Sequence, residues 1–165
     1  MYNYFGYGAN VNTNYLRHMH KLKISNNSIS IGLLVGYSFY LTYSNIIDSV
    51  VASIKKDDNG IVFGILYNFN NSIMNKINKQ EFVHKNLYSL AKVNVLDLLS
   101  NKIISTQAYI LNDKNQYFYD APNRNIYKNI IISGLIENNI PSWYIRHIYN
   151  LFVIYEKKML IINNG

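Results

Sequence analysis

At 165 residues and 19.2 kDa the chain has the length of one ordinary domain, and its 49% hydrophobic, 15% aromatic and 15% charged residues exclude a disordered polymer and call for a ring-rich core. The absence of cysteine excludes disulfides, thiolate nucleophiles and zinc–thiolate sites together. A net charge of +7 and a pI near 9.4 would suit an anionic partner, but Lys and Arg stand in ones and twos, the pattern of a solvated basic surface rather than a nucleic-acid site.

Tyr2 to Tyr7 reads as a strand, broken at Gly8 before Asn12 and Thr13 offer capping side chains to a helix through Tyr15, Leu16 and Met19. Ile29 to Leu34 and Gly36 to Tyr43 carry β-branched and aromatic residues interrupted by glycine, as one bent strand or two would. Val50 to Ile54 and Ile61 to Phe69 flank the polar run Lys55 to Gly60, which ends in Asn-Gly and predicts a hairpin turn there. Asn71 is a candidate cap for a helix through Ile73, Met74 and Ile77 that ends near Lys79 and Gln80, with Glu81 in the loop before a strand from Leu87 to Val95. Ile103 to Leu111 is a further strand, and Asn112 to Asn125, with Pro122, a long polar loop. Helical spacing resumes from Ile126 to Asn138, stops before Pro141, and starts again from Ser142 to Ile154. No repeat or linker divides the chain, so one domain over residues 1–165 is expected. No run approaches the ~18 apolar residues of a membrane span, and no leader pattern opens the chain, so a cytoplasmic protein is expected.

Glu81 is the only carboxylate between Ile73 and Leu96, at the junction of a helical pattern and a strand. Such an acid is either a solvated charge or a buried general base, and on its own the sequence leaves both open. His18 and His20, two apart, face different sides of a helix and do not suggest a metal site. His84, three residues after Glu81, is either an exposed loop residue or a group that tunes its surroundings. No Ser-His-Asp order, phosphate loop or dinucleotide fingerprint is present.

Four strings carry more information together than any does alone: Tyr4-Phe5-Gly6-Tyr7-Gly8-Ala9-Asn10 at a strand–turn–helix, Gly64-Ile65-Leu66-Tyr67 on a strand, Gln80-Glu81-Phe82-Val83 followed by Tyr88, and Tyr127-Lys128 through Gly134 to Glu137-Asn138-Asn139-Ile140-Pro141. In this order and spacing they resemble the γ-glutamylcyclotransferase family over nearly the whole chain. The chain departs from that pattern at Gly6 (alanine in the family), Ala9 (serine) and Phe82 (glycine). If the family's glycine sits at positive φ, a phenylalanine at 82 is costly unless the loop is rebuilt.

The resemblance implies an α+β fold, a small mixed β-barrel with two to three flanking helices, and an enzyme that needs no metal and no cofactor. Cyclotransfer uses the substrate's own α-amine to attack its γ-carbonyl, releasing 5-oxoproline and an amine. Glu81 is expected as general acid/base, with Tyr7, Gly8, Ala9, Asn10, Tyr88 and Tyr127 binding substrate. Burial near Phe82, Tyr88 and the Tyr7 loop would raise the Glu81 pKa. The loop from Asn112 to Asn125 is expected to face the leaving group. The expected partner is a small-molecule γ-glutamyl substrate, with room for a homodimer and with neither membrane nor nucleic acid as a partner. Glutathione-specific relatives open on a different motif, which points away from that substrate. Two alternatives use the same residues: an acyl-transfer or hydrolytic relative, and a non-catalytic binding module closed by Phe82.

Overall fold

In the computed structural model, which describes residues 1–24 and 29–163, five strands close into a barrel. They are β1 (Tyr2–Gly6), β2 (Ile29–Ser44), β3 (Ser49–Phe69), β4 (Tyr88–Asp97) and β5 (Lys102–Leu111), in the order β1-β3-β2-β4-β5. All neighbours are antiparallel except β1 and β5, which close the barrel in parallel where Tyr4 meets Gln107. The helices are α1 (Thr13–His20), α2 (Asn71–Gln80), α3 (Arg124–Glu137) and α4 (Ser142–Asn163). The α+β barrel expected from the resemblance is therefore present, with four α-helices among the described residues. Phe5, Leu34, Ile54, Ile65 and Tyr67 fill the core, which continues through Ile131 and Leu135 of α3 to Phe152 and Tyr155 of α4.

The hairpin turn expected at Lys55 to Gly60 is not there. β3 runs without reversal from Ser49 to Phe69, and the chain turns instead at residues 45–48, where Asp48 takes the left-handed conformation at φ 48°. The polar run is a bulge: pairing with β2 passes from Val35↔Ile61 to Tyr37↔Lys56, so Asp57 to Gly60 oppose Gly36 alone. Asp57 satisfies this kink locally, accepting from the Ser38 hydroxyl and, at 3.2 Å, from the Asn59 N–H. Gly60 is required by crowding rather than by a turn, since a Cβ there would lie 2.4 Å from the Tyr37 carbonyl oxygen. The true turn carries Ile46 and Ile47, which hide it from composition. Ile29 to Tyr43 is one strand, bent at Gly36.

This bulge positions the site. The far half of the β2–β3 ribbon leans over the end of the barrel, where Leu111 N–H of β5 donates to Ser53 Oγ at 3.0 Å and the Tyr88 hydroxyl of β4 donates to the Ala52 carbonyl at 2.6 Å. β1 covers the second edge of β3 only from Ile65 to Phe69, so Ser49 to Lys56 have β2 as their sole strand partner. Helix α2 is capped by Asn70, not Asn71: its Oδ1 accepts from Ile73 N–H at 3.0 Å. Helix α1 is capped by Asn12, whose Oδ1 accepts from Tyr15 N–H at 2.8 Å. Among the described residues no helix is long and apolar enough to cross a membrane.

Candidate active site

Glu81 follows the last residue of α2, and its N–H closes the final turn on the Ile77 carbonyl at 2.9 Å. That end of a helix disfavours an anion, and the partly buried side chain lines a cavity of about 610 Å³. Burial pushes its pKa up to about 7, against one opposing influence, a hydrogen bond from Asn10. Asn10 lies in a single 3-10 turn, Ala9–Val11, directly after β1, and its Nδ2 donates to Glu81 Oε1 at 2.7 Å. The same amide donates to the Tyr4 hydroxyl at 2.8 Å, and the Asn10 carbonyl accepts from the Tyr67 hydroxyl at 2.8 Å. Tyr4 stacks on Tyr67 at 5.9 Å and meets Tyr109 edge-on at 5.5 Å, so an aromatic floor excludes water from beneath the carboxyl.

Opposite this floor lies the uncovered edge of β3. Its backbone groups are satisfied by side chains in place of a strand. Val50 N–H donates to Asn123 Oδ1 at 2.9 Å and the Val50 carbonyl accepts from Asn123 Nδ2 at 3.1 Å. The Ala52 carbonyl accepts from Tyr88, and Ala52 N–H donates to the Tyr127 hydroxyl at 3.1 Å. The Ala9 backbone also hydrogen-bonds the Tyr127 hydroxyl. Tyr127 thus receives hydrogen bonds and retains its own proton to donate, whereas Tyr88 has committed its proton to Ala52 and Tyr7 has committed its proton to the Tyr109 carbonyl. Burial pushes all three phenols up, so they remain neutral. Gly8 keeps this wall thin: a Cβ there would meet the Tyr127 hydroxyl at 3.3 Å.

All seven residues singled out in the sequence line this one cavity: Glu81, Tyr7, Gly8, Ala9, Asn10, Tyr88 and Tyr127. His20, Gln80, Tyr109 and Asn123 also line it. Gln80 stands in the string that holds Glu81, whereas the sequence offers only weak signals for the other three, because each is brought in by tertiary packing from a helix, strand or loop whose own pattern is ordinary. Of the loop from Asn112 to Asn125, Asn123 alone reaches the cavity. Its middle lies along β2, where Tyr43 N–H donates to the Tyr117 carbonyl at 2.9 Å and Tyr117 N–H to Thr42 Oγ1 at 2.8 Å. The rim is formed instead by α1 and α2, with Met19, Lys76 and Lys79. Phe82 does sit at positive φ, 49°, and its partly buried ring packs on the core with Lys85 Nζ over it at 5.3 Å. His18 and His84 are exposed, and no three His, Asp or Glu side chains among the described residues come together as metal ligands.

The arrangement can exchange one proton near neutrality at Glu81 and can present one phenolic proton from Tyr127, inside a cavity large enough for a dipeptide-sized ligand. Among curated proteins none matches the sequence. The sequence pattern of the AIG2-like family matches residues 61–148. Among solved structures, the chain is similar to an uncharacterized protein from Homo sapiens, with 23% identity over 90% of this chain and 86% of that one and a TM-score of 0.72. It is similar to a gamma-glutamyl cyclotransferase, with 20% identity over 94% and 98% and a TM-score of 0.70. It is also similar to a yeast gamma-glutamyl cyclotransferase specific to glutathione, with 13% identity over 96% and 99% and a TM-score of 0.60. At these identities the structural likeness speaks for a shared fold.

Proposed function

The chain belongs to the AIG2-like family, and on that premise we propose that it is a γ-glutamylcyclotransferase that converts a small γ-glutamyl substrate into 5-oxoproline and a free amine or amino acid. The observation that carries this reading is the single cavity carboxyl, Glu81, raised by burial to about 7 and held by Asn10.

The substrate supplies the nucleophile, so the protein has to fold the substrate and move protons. A free α-amine has a pKa of about 7.7–8.0 and is mostly protonated at neutral pH. Glu81 takes that proton, the amine nitrogen attacks the γ-carbonyl carbon, and a five-membered ring closes with negative charge on the carbonyl oxygen. Glu81 returns the proton to the departing nitrogen as the carbon–nitrogen bond to the leaving group breaks, and the carboxylate so regenerated takes the second proton from the ring nitrogen, leaving the lactam N–H. A shuttle with a pKa near that of its working pH serves both directions. The Tyr127 proton and the Gly8 and Asn10 N–H groups of the turn are the donors assigned to the developing oxyanion and the substrate carboxylate. Tyr7 and Tyr88, their hydroxyls already engaged, act through their ring faces as walls that hold the glutamyl chain bent. Pre-organisation of this kind is worth up to ~7–11 kcal/mol in intramolecular reactions, more than a second catalytic group would add.

The test is mass-spectrometric detection of 5-oxoproline after incubation with a panel of γ-glutamyl amino acids and γ-glutamyl amines, with Glu81→Gln alongside. Wild-type protein should release 5-oxoproline, and the variant should lose at least about 100-fold in rate, the usual contribution of a positioned acid/base. Equal turnover by the folded variant would remove Glu81 from the mechanism.

A further inference from the structure

Four side chains from three parts of the chain form one line ending at Glu81. His20 Nε2, at the end of α1, is hydrogen-bonded to Gln80 Oε1, at the end of α2. Gln80 Nε2 donates to Asn10 Oδ1 at 2.9 Å, and Asn10 Nδ2 donates to Glu81 Oε1 at 2.7 Å. A carboxamide accepts only on its oxygen arm and donates only on its nitrogen arm, so each bond in the line dictates the next. Gln80 Oε1 can only accept, so His20 must present Nε2–H. With that oxygen engaged, Gln80 turns its nitrogen to Asn10, and Asn10 in turn has only its nitrogen left for Glu81 and Tyr4. The amide dipoles run head to tail with their donor end on the carboxyl, which favours its ionised form. Were the Asn10 amide to turn over, its oxygen would face Glu81, and only a protonated carboxyl could bond to it.

We propose that His20 and Gln80 are positioning residues: they lock the Asn10 amide toward Glu81 and so keep a carboxylate available there as proton acceptor. The catalytic consequence rests on the cyclotransfer reading, but the hydrogen-bonding claim stands apart from it. The groups facing Glu81 from the elements around it are Tyr4 and Tyr7 from β1 and its exit, Tyr15 from α1, Tyr88 from β4, Tyr109 from β5 and Tyr127 from α3, all pushed up by burial and therefore neutral. Lys76 and Lys79 of α2 add positive charge to the lining. His20 is the remaining titratable group, and both its imidazolium and its Nε2–H tautomer donate the same bond to Gln80.

The experiment is a carboxyl carbon-13 NMR titration of Glu81 in the wild type, Gln80→Met, His20→Leu, His20→Gln and the double variant His20→Leu/Gln80→Met, with 5-oxoproline release measured in parallel. Gln80→Met should raise the Glu81 midpoint by about half a unit to one unit, as expected when an ordered donor to a carboxylate is lost. His20→Leu should move it the same way by less, and His20→Gln, which keeps a donor, should titrate like wild type. The double variant should not exceed Gln80→Met alone, because one line can be cut only once. Unchanged midpoints in folded Gln80→Met and His20→Leu would overturn the proposal, as would strictly additive shifts. Should Gln80→Met not fold, the partly exposed His20 variants still decide it. If the midpoints shift as stated while even wild type makes no 5-oxoproline, the positioning line stands and the cyclotransfer reading falls.

Discussion

Burial moves the Glu81 carboxyl from its ordinary 4.5 to about 7, and this shift couples folding to pH. A carboxyl whose folded pKa is raised contributes stability below its unfolded value, and that contribution is lost as pH rises through the folded value. The window therefore runs from about pH 4.5 to about 7. Glu81→Gln does not titrate, so urea unfolding at pH 4.5, 6 and 8 should show the variant gaining on wild type across the window, by up to ~3 kcal/mol above it. The rate of 5-oxoproline release should run the other way, falling up to tenfold per pH unit below about pH 7 as the base is protonated. Phe82 is a second residue with two opposed effects. Its left-handed backbone costs roughly 1–2 kcal/mol, while its ring recovers a similar amount through burial. Phe82→Gly should thus leave Tm within a few degrees of wild type, yet shift the kcat/KM ratio of bulky to small leaving groups by about tenfold, since the ring lines the cavity. At this scale much of the site is legible: the isolation of Glu81 and the glycine-containing turn at Tyr7-Gly8 are visible in the chain. The tie from His20 through Gln80 to Asn10 is not, because it crosses 60 and 70 positions of sequence.

Elements are legible where hydrophobic period and cap agree, as in α1, and illegible where side chains imitate a different structure. The Asn59-Gly60 pair imitates a hairpin turn, but its glycine is there because the opposing strand passes too close for a Cβ. Gly134 of α3 has the same cause. A Cβ at that position would lie 2.6 Å from the Asn12 Cα, and Asn12 Nδ2 clasps α3 through Ser133 Oγ at 2.9 Å and the Ile130 carbonyl at 3.1 Å. Gly134→Ala should push α3 away from the turn that carries Asn10 and lower stability by about 1–3 kcal/mol, the usual cost of overpacking, measurable by denaturant unfolding. Tyr127 would move with the helix, so activity should fall further than stability alone requires.

The whole molecule is a closed barrel in which one half of the long β2–β3 ribbon extends past the reach of β1. β1 is too short to cover all of β3, and the bulge opposite Gly36 folds the excess ribbon over the barrel end. The space left between that ribbon, α2 and α3 is the cavity. This feature is not readable from local pattern, because it depends on a length mismatch between strands far apart in sequence. The uncovered edge of β3 also bears on how copies of the chain behave toward one another. An open strand edge invites a foreign strand to add to it, and Asn123, Tyr88 and Tyr127 occupy the bonding positions such a strand would use. The side chains that shape the cavity are at the same time a guard against aggregation. Asn123→Ala with Tyr127→Phe should therefore scatter more light than wild type on gentle heating, before the barrel itself unfolds.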